Sequence, residues 1–580
     1  MANFYHDNED LVFLFSHMDF ARLAQLAEED FRFADEFDHA PRSVGDALDN
    51  YQRVLETIGD IAANVVAPTA EHTDRVGSML NANNTVSYAP GIVESLRRLS
   101  QADLMGFTLP YKYGGINCPT LLYTFSNDII SRADASLMNL YGLQGIAETI
   151  NAFASDEIKD EYLPPMASGK YTGAMVLTEP DAGSDLQAVK VRAYQDEAGD
   201  WYVQGVKRFI TNGCGEVLLV LARSEADVQD GRGLSLFLVE SGARVKVRRL
   251  EEKLGIHGSP TCELFFDDAP AKLIGERQRG LVTYVMSLMN GARIGIAAQS
   301  LGIGEAAYRV ARDYAHKRRQ FNTAIETIPA VRELLVEMSL DVKAARALTY
   351  YASFSVDLEY GATRAAERDN VDAEAKKQAK QDARRLKRIN GLLTPMCKYY
   401  ASEMSMRVAN QAMAVLGGSG YMRDYAVERL VRDSRITTIY EGTSQLQVVA
   451  AVRGVMSGTI ENIIDQLFDH PWPESLQPLV DQVGEAMAVL NEAIAFIKEQ
   501  AGGEYMELYG RRLVDMACAI LIAALFVDHA TAADKKRTIA QHWLDTNLPR
   551  IKMNRDMICS GDRSIIKSFE ELAGALPTIE

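Results

Sequence analysis

Leu177-Thr178-Glu179-Pro180-Asp181-Ala182-Gly183-Ser184-Asp185 marks the point where the texture of this 580-residue chain changes. Before it, apolar residues recur at helical spacing. Ala47, Tyr51, Val54, Leu55 and Ile58 form one such set, and Leu121, Leu122, Phe125, Ile129 and Ile130 another. After it, short β-rich runs follow one another at 201–203, 217–221, 234–239, 245–247 and 264–266. Asn-Gly, Asp-Gly and Gly-Asp turns separate them, which predicts an antiparallel barrel or sandwich of about 100 residues. The stretch itself combines hydroxyls, turn residues and a glycine, so a ligand can approach its backbone closely.

Working outward, the helical pattern returns after Gly280. Helices are expected over 281–316, 330–358, 376–414 and 441–456, enough for a four-helix bundle. The charge-dense run 361–388 reads as a solvated helix face and loop. Two prolines break the chain at 469–475, and further helices follow, with Val514, Cys518, Leu521, Ile522, Leu525 and Phe526 as an apolar stripe. Upstream, 44–161 is mostly helical, interrupted by a Pro- and Gly-bearing loop at 109–115. The apolar run 11–15 fits either a short strand or a turn of helix. The expected fold is mainly α with a central β-barrel. Its domains are a helical N-terminal domain with an extension (1–170), the barrel (171–278), a helical bundle (279–456) and an additional helical domain (457–580).

The chain carries 61 basic and 79 acidic residues, a net charge of −18. That balance disfavours broad contact with a phosphate backbone but permits a local basic pocket. Residues 456–580 are acidic too, with 19 acidic against 11 basic residues, which argues against a nucleic-acid-binding tail. Six cysteines with no C-x-x-C pair read as buried thiols in a reducing compartment. Nine scattered histidines give no zinc spacing, so no metal is expected. No apolar run reaches the ~18 residues of a membrane span. The first ten residues lack a signal pattern, and a cytoplasmic protein is expected.

Three further stretches draw attention. Val206-Lys207-Arg208-Phe209-Ile210-Thr211-Asn212-Gly213 reads as a strand ending in a turn, with Phe209 and Thr211 expected on one strand face. Tyr314-Ala315-His316-Lys317-Arg318-Arg319-Gln320-Phe321 is a helix end with cations suited to phosphates. The last runs from Gly417-Gly418-Ser419-Gly420-Tyr421 through Arg432-Asp433 to Ile439-Tyr440-Glu441-Gly442-Thr443-Ser444-Gln445. Neither Gly418-Ser419-Gly420 nor Gly302-Ile303-Gly304 follows a strand, so no Rossmann-type dinucleotide site is expected. Singly, each stretch has an ordinary reading as a turn, hairpin, solvated helix end or loop.

As a set and in this order, they resemble the acyl-CoA dehydrogenase family over about residues 94–454. The 177–185 and 417–445 stretches match its two signature regions. Residues 4–23, the tail past Gly454 and Met289-Asn290-Gly291-Ala292-Arg293 are similar to long members such as the 3-(methylthio)propanoyl-CoA dehydrogenase group. The resemblance implies a helical domain, a barrel and a bundle with FAD at their junction. It implies α,β-dehydrogenation of an acyl-CoA thioester, with Glu441 taking the α proton and flavin N5 the β hydride. Some members carry the base just before the arginine matched by Arg293. Ala292 stands there and has no carboxylate, which favours Glu441.

By the same resemblance, Leu177, Thr178 and Ser184 line the flavin ring and the acyl-CoA entrance. Phe209 covers the flavin face, where the family usually has tryptophan, and Thr211 lies near N5. Arg318 and Phe321 reach the FAD of a second subunit, and Gly417, Gly418, Thr443 and Gln445 contact the same cofactor. Ala414 replaces a common glutamine. Ser184, Asn290 and Arg293 are assigned to CoA, with Asn290 in place of a frequent aspartate. Tyr440 and Gly442 are assigned to the acyl substrate. A homodimer or homotetramer and electron-transfer flavoprotein as acceptor are implied. An oxidase using oxygen, a nucleic-acid-binding member and a silent assembly subunit are the alternatives.

Overall fold

The computed structural model describes residues 2–368, 372–500 and 502–577. The chain divides into two compact units, Met1–Lys387 with Cys397–Ser444, and Arg388–Met396 with Gln445–Glu580. The first unit opens with helices. The ambiguous run 11–15 lies in the helix Glu9–His17, whose first turn is capped by the Asn8 side chain. Helices Val44–Ile61, Pro90–Gln101, Thr120–Ala133, Ala135–Tyr141, Gly145–Phe153 and Asp156–Ala167 follow.

Helix Thr120–Ala133 is almost wholly buried, and Pro119 before it offers no capping side chain. The cap comes from a distant helix instead. The two carboxylate oxygens of Asp357 accept from the backbone N–H groups of Thr120 at 2.7 Å and Leu121 at 2.8 Å. Arg346, 1% exposed, donates to Asp128 at 2.9 Å, Glu305 at 3.0 Å and Asp10 at 3.2 Å. Four helices are thereby tied around one guanidinium, whose forked donors suit several carboxylates at once.

Seven strands make the central sheet: β1 (Gly173–Val176), β2 (Arg192–Gln195), β3 (Trp201–Thr211), β4 (Val217–Arg223), β5 (Leu234–Glu240), β6 (Val245–Leu250) and β7 (Thr261–Ile274). Strands β4, β2, β3, β7 and β5 pair in that order, and β5 returns to β4, closing a five-stranded barrel. Strand β1 adds to β4, and β6 to β7. The barrel is not antiparallel throughout as the sequence suggested, because β2 and β1 both run parallel to β4. A closed ring with an odd number of strands cannot alternate direction all the way round, so at least one parallel pair is unavoidable.

The long helices Met286–Lys317, Pro329–Glu367 and Ala373–Leu416 come next, then Val427–Thr437. Most of the charge-dense run 361–388 lies on the second and third of these, largely exposed. Residues 369–371 of that run fall outside the described residues. The helix expected over 441–456 begins only at Ser444. Glu441 and Gly442 have φ of 54° and 93°, a left-handed backbone that cannot continue a right-handed helix.

The second unit holds helices Ser444–Met456, Thr459–Leu467, Gln477–Glu499, Glu504–Ala530 and Asp534–Cys559. The stripe from Val514 to Phe526 is buried as expected. By length and composition Gly280–Lys317 and Glu504–Ala530 reach the range of membrane-crossing helices, although polar residues interrupt the apolar run in each. The apolar stretch of Glu504–Ala530 is 83% buried within the protein, as befits a core helix.

Candidate active site

The candidate residues fall into three groups. The first lies at one end of the barrel. Lys207 on β3 is fully buried and donates to the Leu177 carbonyl at 2.7 Å and to Glu179 at 2.9 Å. Glu179 also accepts the backbone N–H groups of Lys190 at 2.8 Å and Val191 at 3.0 Å. The Arg208 N–H donates to the Thr178 carbonyl at 2.9 Å. The 177–191 loop is therefore latched across β3 by one ion pair and backbone bonds. Burial pushes the Lys207 ammonium down to about 8, against the pull of Glu179.

The latch holds Leu177 buried and Thr178 half-buried, while Ser184 stays exposed. Phe209 does not follow the strand alternation predicted from its spacing to Thr211. Its φ is 62°, and the β3–β7 register slips between Lys207 and Ile210. This bulge turns Phe209 outward, 52% exposed, under the Arg208 guanidinium at 4.6 Å. Thr211 ends the strand, half-buried and paired with Thr261. The exposed Phe209 ring offers a face on which a flat heterocycle can stack, with Thr178 tied to this strand through the Arg208 N–H and Thr211 two residues on.

The second group surrounds Glu441, in the turn after helix Val427–Thr437. The Ser444 N–H closes this turn on the Thr438 carbonyl at 3.0 Å. Lys398, fully buried on helix Ala373–Leu416, donates to the Gly442 carbonyl at 2.7 Å. Arg293, on helix Met286–Lys317, donates from Nη1 to Asn290 Oδ1 at 3.1 Å. Among the described residues its Nε is buried without a partner. Burial pushes Glu441 up to about 7, opposed by the charges of Lys398 and Arg293. Burial likewise pushes Lys398 down to about 7, with Glu441 pulling the other way. Tyr440 points its phenol at Asn139 Oδ1 (3.1 Å) and Gln299 Oε1. Gln299 in turn donates to Asn139 at 2.8 Å.

The third group is more open. Arg318 terminates its helix through its N–H to the Tyr314 carbonyl at 2.8 Å. Among the described residues, nothing engages its exposed guanidinium. Phe321 has φ of 51° and is 90% exposed. Tyr314 links this corner to the glycine-rich loop, through Ser419 Oγ at 3.4 Å and an edge-on contact with Tyr425 at 5.5 Å. Gly417 sits at φ 59° and ψ −137°, a conformation essentially confined to glycine. A Cβ added at Gly417 or Gly418 would meet nothing within 4 Å, so open space lies against the backbone there. Thr443 is half-buried, and Gln445 is exposed on the first turn of helix Ser444–Met456.

Arg293, expected at CoA, also acts through its charge on Glu441. Lys398, Gln299, Asn139 and the Lys207–Glu179 latch were missed. For Lys398 a signal existed: a lone cation inside the apolar run Met396-Cys397-Lys398-Tyr399-Tyr400-Ala401, since a lysine on a buried face needs a partner.

Family models match the chain in series. The acyl-CoA dehydrogenase N-terminal domain covers residues 49–170, the middle domain 174–269 and the C-terminal domain 279–456. A further model, described as acyl-CoA dehydrogenase C terminal, covers 456–558. An acyl-CoA dehydrogenase of Bacillus subtilis (strain 168) is 33% identical over 408 residues, 69% of this chain and 97% of the relative. The chain belongs to the acyl-CoA dehydrogenase family. Members of this enzyme family are flavoprotein oxidoreductases of acyl-CoA metabolism. The 3-methylmercaptopropionyl-CoA dehydrogenase of Ruegeria pomeroyi is 30% identical over 430 residues, 69% of each chain. Butyryl-CoA dehydrogenase of Megasphaera elsdenii superposes with a TM-score of 0.60 at 28% identity, covering 70% of this chain and 98% of that one. An acyl-CoA dehydrogenase of Bacillus anthracis, complexed with FAD, superposes with a TM-score of 0.74 at 22% identity. It covers 91% of this chain and 92% of that one, so the likeness of fold extends past the core into the tail.

Proposed function

We propose that this chain removes two hydrogens from the α and β carbons of an acyl-CoA thioester, with Glu441 as the base. The observation that carries the reading is the Glu441 turn, left-handed at Glu441 and Gly442 and pinned by the buried Lys398 at the Gly442 carbonyl at 2.7 Å, where burial raises the carboxyl to about 7 against the charges of Lys398 and Arg293. A general base works best with a pKa near the operating pH. The α proton of a thioester is weakly acidic, so its removal needs a base stripped of water and a polarised carbonyl. Desolvation in the Glu441 turn supplies the first requirement.

The residues present fit FAD. Phe209 offers a ring and Thr178 and Thr211 hydroxyls to a flavin, with Leu177 and Ser184 in the same loop as Thr178. Arg318, unengaged among the described residues, and the open backbone at Gly417 and Gly418 suit a pyrophosphate, with Phe321 three residues past Arg318 and Thr443 and Gln445 proposed for the same cofactor. When bound, FAD supplies the hydride acceptor at the β carbon. Arg293, anchored by Asn290, stabilises the Glu441 carboxylate before the proton is taken, and Tyr440 is held in place by Gln299 and Asn139. Ser184 and Gly442 remain the residues assigned to the substrate.

Electron-transfer flavoprotein is the proposed electron acceptor. The bare Arg318 guanidinium and the protruding Phe321 support at least a homodimer, in which a second copy completes the FAD site. No disulfide joins the six cysteines among the described residues, which supports placement in a reducing compartment such as the cytoplasm. The test is anaerobic bleaching of the bound flavin by a panel of acyl-CoA thioesters. Wild-type protein should bleach with at least one thioester. Glu441→Gln should retain yellow FAD and lose about 10²–10⁴-fold in rate, the usual contribution of a positioned base. Retention of more than about a tenth of the wild-type rate excludes Glu441 from the role.

A further inference from the structure

We propose that Lys398 is the positioning residue of the base: its ammonium pins the Gly442 carbonyl and sets a buried positive charge that keeps the Glu441 carboxylate ionised. The proposal rests on the reading of Glu441 as the base. Lysine is rarely buried without a compensating partner, yet Lys398 is fully buried in mid-helix. It spends one donor, at 2.7 Å, on the carbonyl directly after the proposed base. That bond ties down a turn whose two residues both carry positive φ, 54° at Glu441 and 93° at Gly442. A strained turn of this kind persists only where its surroundings hold it.

The charged and titratable groups around the pair come from several elements. Arg293, from helix Met286–Lys317, acts on both Glu441 and Lys398. Glu403, one turn along the helix from Lys398, adds a negative charge and accepts from Ser444 Oγ at 2.6 Å. Tyr440 and the buried Cys397 are neutral at physiological pH, because burial raises both. Burial alone favours an uncharged Glu441 and an uncharged Lys398, and their mutual attraction opposes it on both sides. Without the lysine charge, the opposition to the desolvation of Glu441 is reduced to that of charges such as Arg293. The carboxyl pKa then rises, and the base is protonated at neutral pH.

The test uses the FAD-loaded protein and two substitutions. Lys398→Gln keeps a donor for the Gly442 carbonyl but removes the charge, whereas Lys398→Arg keeps the charge. In Lys398→Gln the acid limb of flavin bleaching should rise by about one pH unit or more, with an at least roughly fivefold slower rate at pH 7 that recovers near pH 9. In Lys398→Arg the limb should stay within about half a unit of wild type. A limb unmoved in Lys398→Gln, or moved as far by Lys398→Arg, overturns the proposal. Independently of turnover, the infrared band of the protonated Glu441 carboxyl, assigned by subtraction of Glu441→Gln, should persist to higher pH in Lys398→Gln. An unchanged titration overturns the charge effect even if wild-type protein bleaches with no thioester, whereas that failure of bleaching speaks against the dehydrogenase reading. Should Lys398→Gln fail to fold, linkage supplies the reciprocal measurement. The Lys398 ammonium, followed by ¹⁵N-lysine spectra, should titrate lower in Glu441→Gln than in wild type, and equality overturns the proposal.

Discussion

Lys207 on barrel strand β3 and Lys398 on the long helix Ala373–Leu416 are both fully buried, and each lies close to a glutamate. Lys207 meets Glu179 directly at 2.9 Å, and two backbone N–H groups share that carboxylate. Lys398 instead bonds a backbone carbonyl at 2.7 Å and acts on Glu441 through its charge. Burial pushes Lys207 down to about 8 and Lys398 to about 7, while Glu441 rises to about 7. A carboxylate held by three donors inside the protein serves as a latch. One raised toward neutrality by burial, with Lys398 and Arg293 acting on it through charge, can still exchange a proton. The difference between scaffold and chemistry lies in how the carboxylate is satisfied, not in how deeply its lysine is buried.

The largest effect expected from this contrast is on stability at the barrel. Lys207→Met strands Glu179 as a buried unpaired charge and should cost about 3–5 kcal/mol in chemical unfolding. Adding Glu179→Leu should recover more than half of that loss. A single-variant cost below about 1 kcal/mol would mean that the ion pair is not what holds the 177–191 loop. The bundle lysine should show itself in pH dependence. The Glu441 pKa is raised to about 7, so the active carboxylate form accumulates as pH rises through that value. The rate of flavin bleaching should rise through about pH 7 and fall roughly tenfold per unit below it. A limb at the ordinary carboxylate value would remove the proposed distinction between the two glutamates. The smallest effect is expected at the turn itself. Gly442→Ala must place an alanine at φ 93° and should lower stability by about 1 kcal/mol by thermal unfolding. No change would show that the turn is relaxed, and that the Lys398 bond holds nothing strained.

Much of the architecture could be read before any coordinates, because it rests on local periodicity. The strands expected near 201–203, 217–221, 234–239, 245–247 and 264–266 all exist, within longer elements. The apolar stripe at 514–526 is a core stripe. Errors arose where a long-range closure or a single backbone angle decided the outcome. A period-two pattern cannot show that β2 and β4 meet in parallel to close an odd ring. It cannot show the bulge that turns Phe209 out of register. The helical pattern across 441–443 concealed two left-handed residues.

The site divides along the same line. The motif set around 177–185, 206–213, 314–321 and 417–445 determined the family, because residue types in order survive without geometry. From that followed the candidate base and the expectation of a flavin. The tertiary structure alone decided that Lys398 and Arg293 face Glu441, that Asp357 caps a helix more than two hundred residues away, and that Lys207 latches the 177–191 loop. Helix and strand periods are properties of neighbouring residues, so one sequence carries them. Desolvation, charge pairing and the pKa they set belong to groups brought together across the chain, and exist only once it has folded.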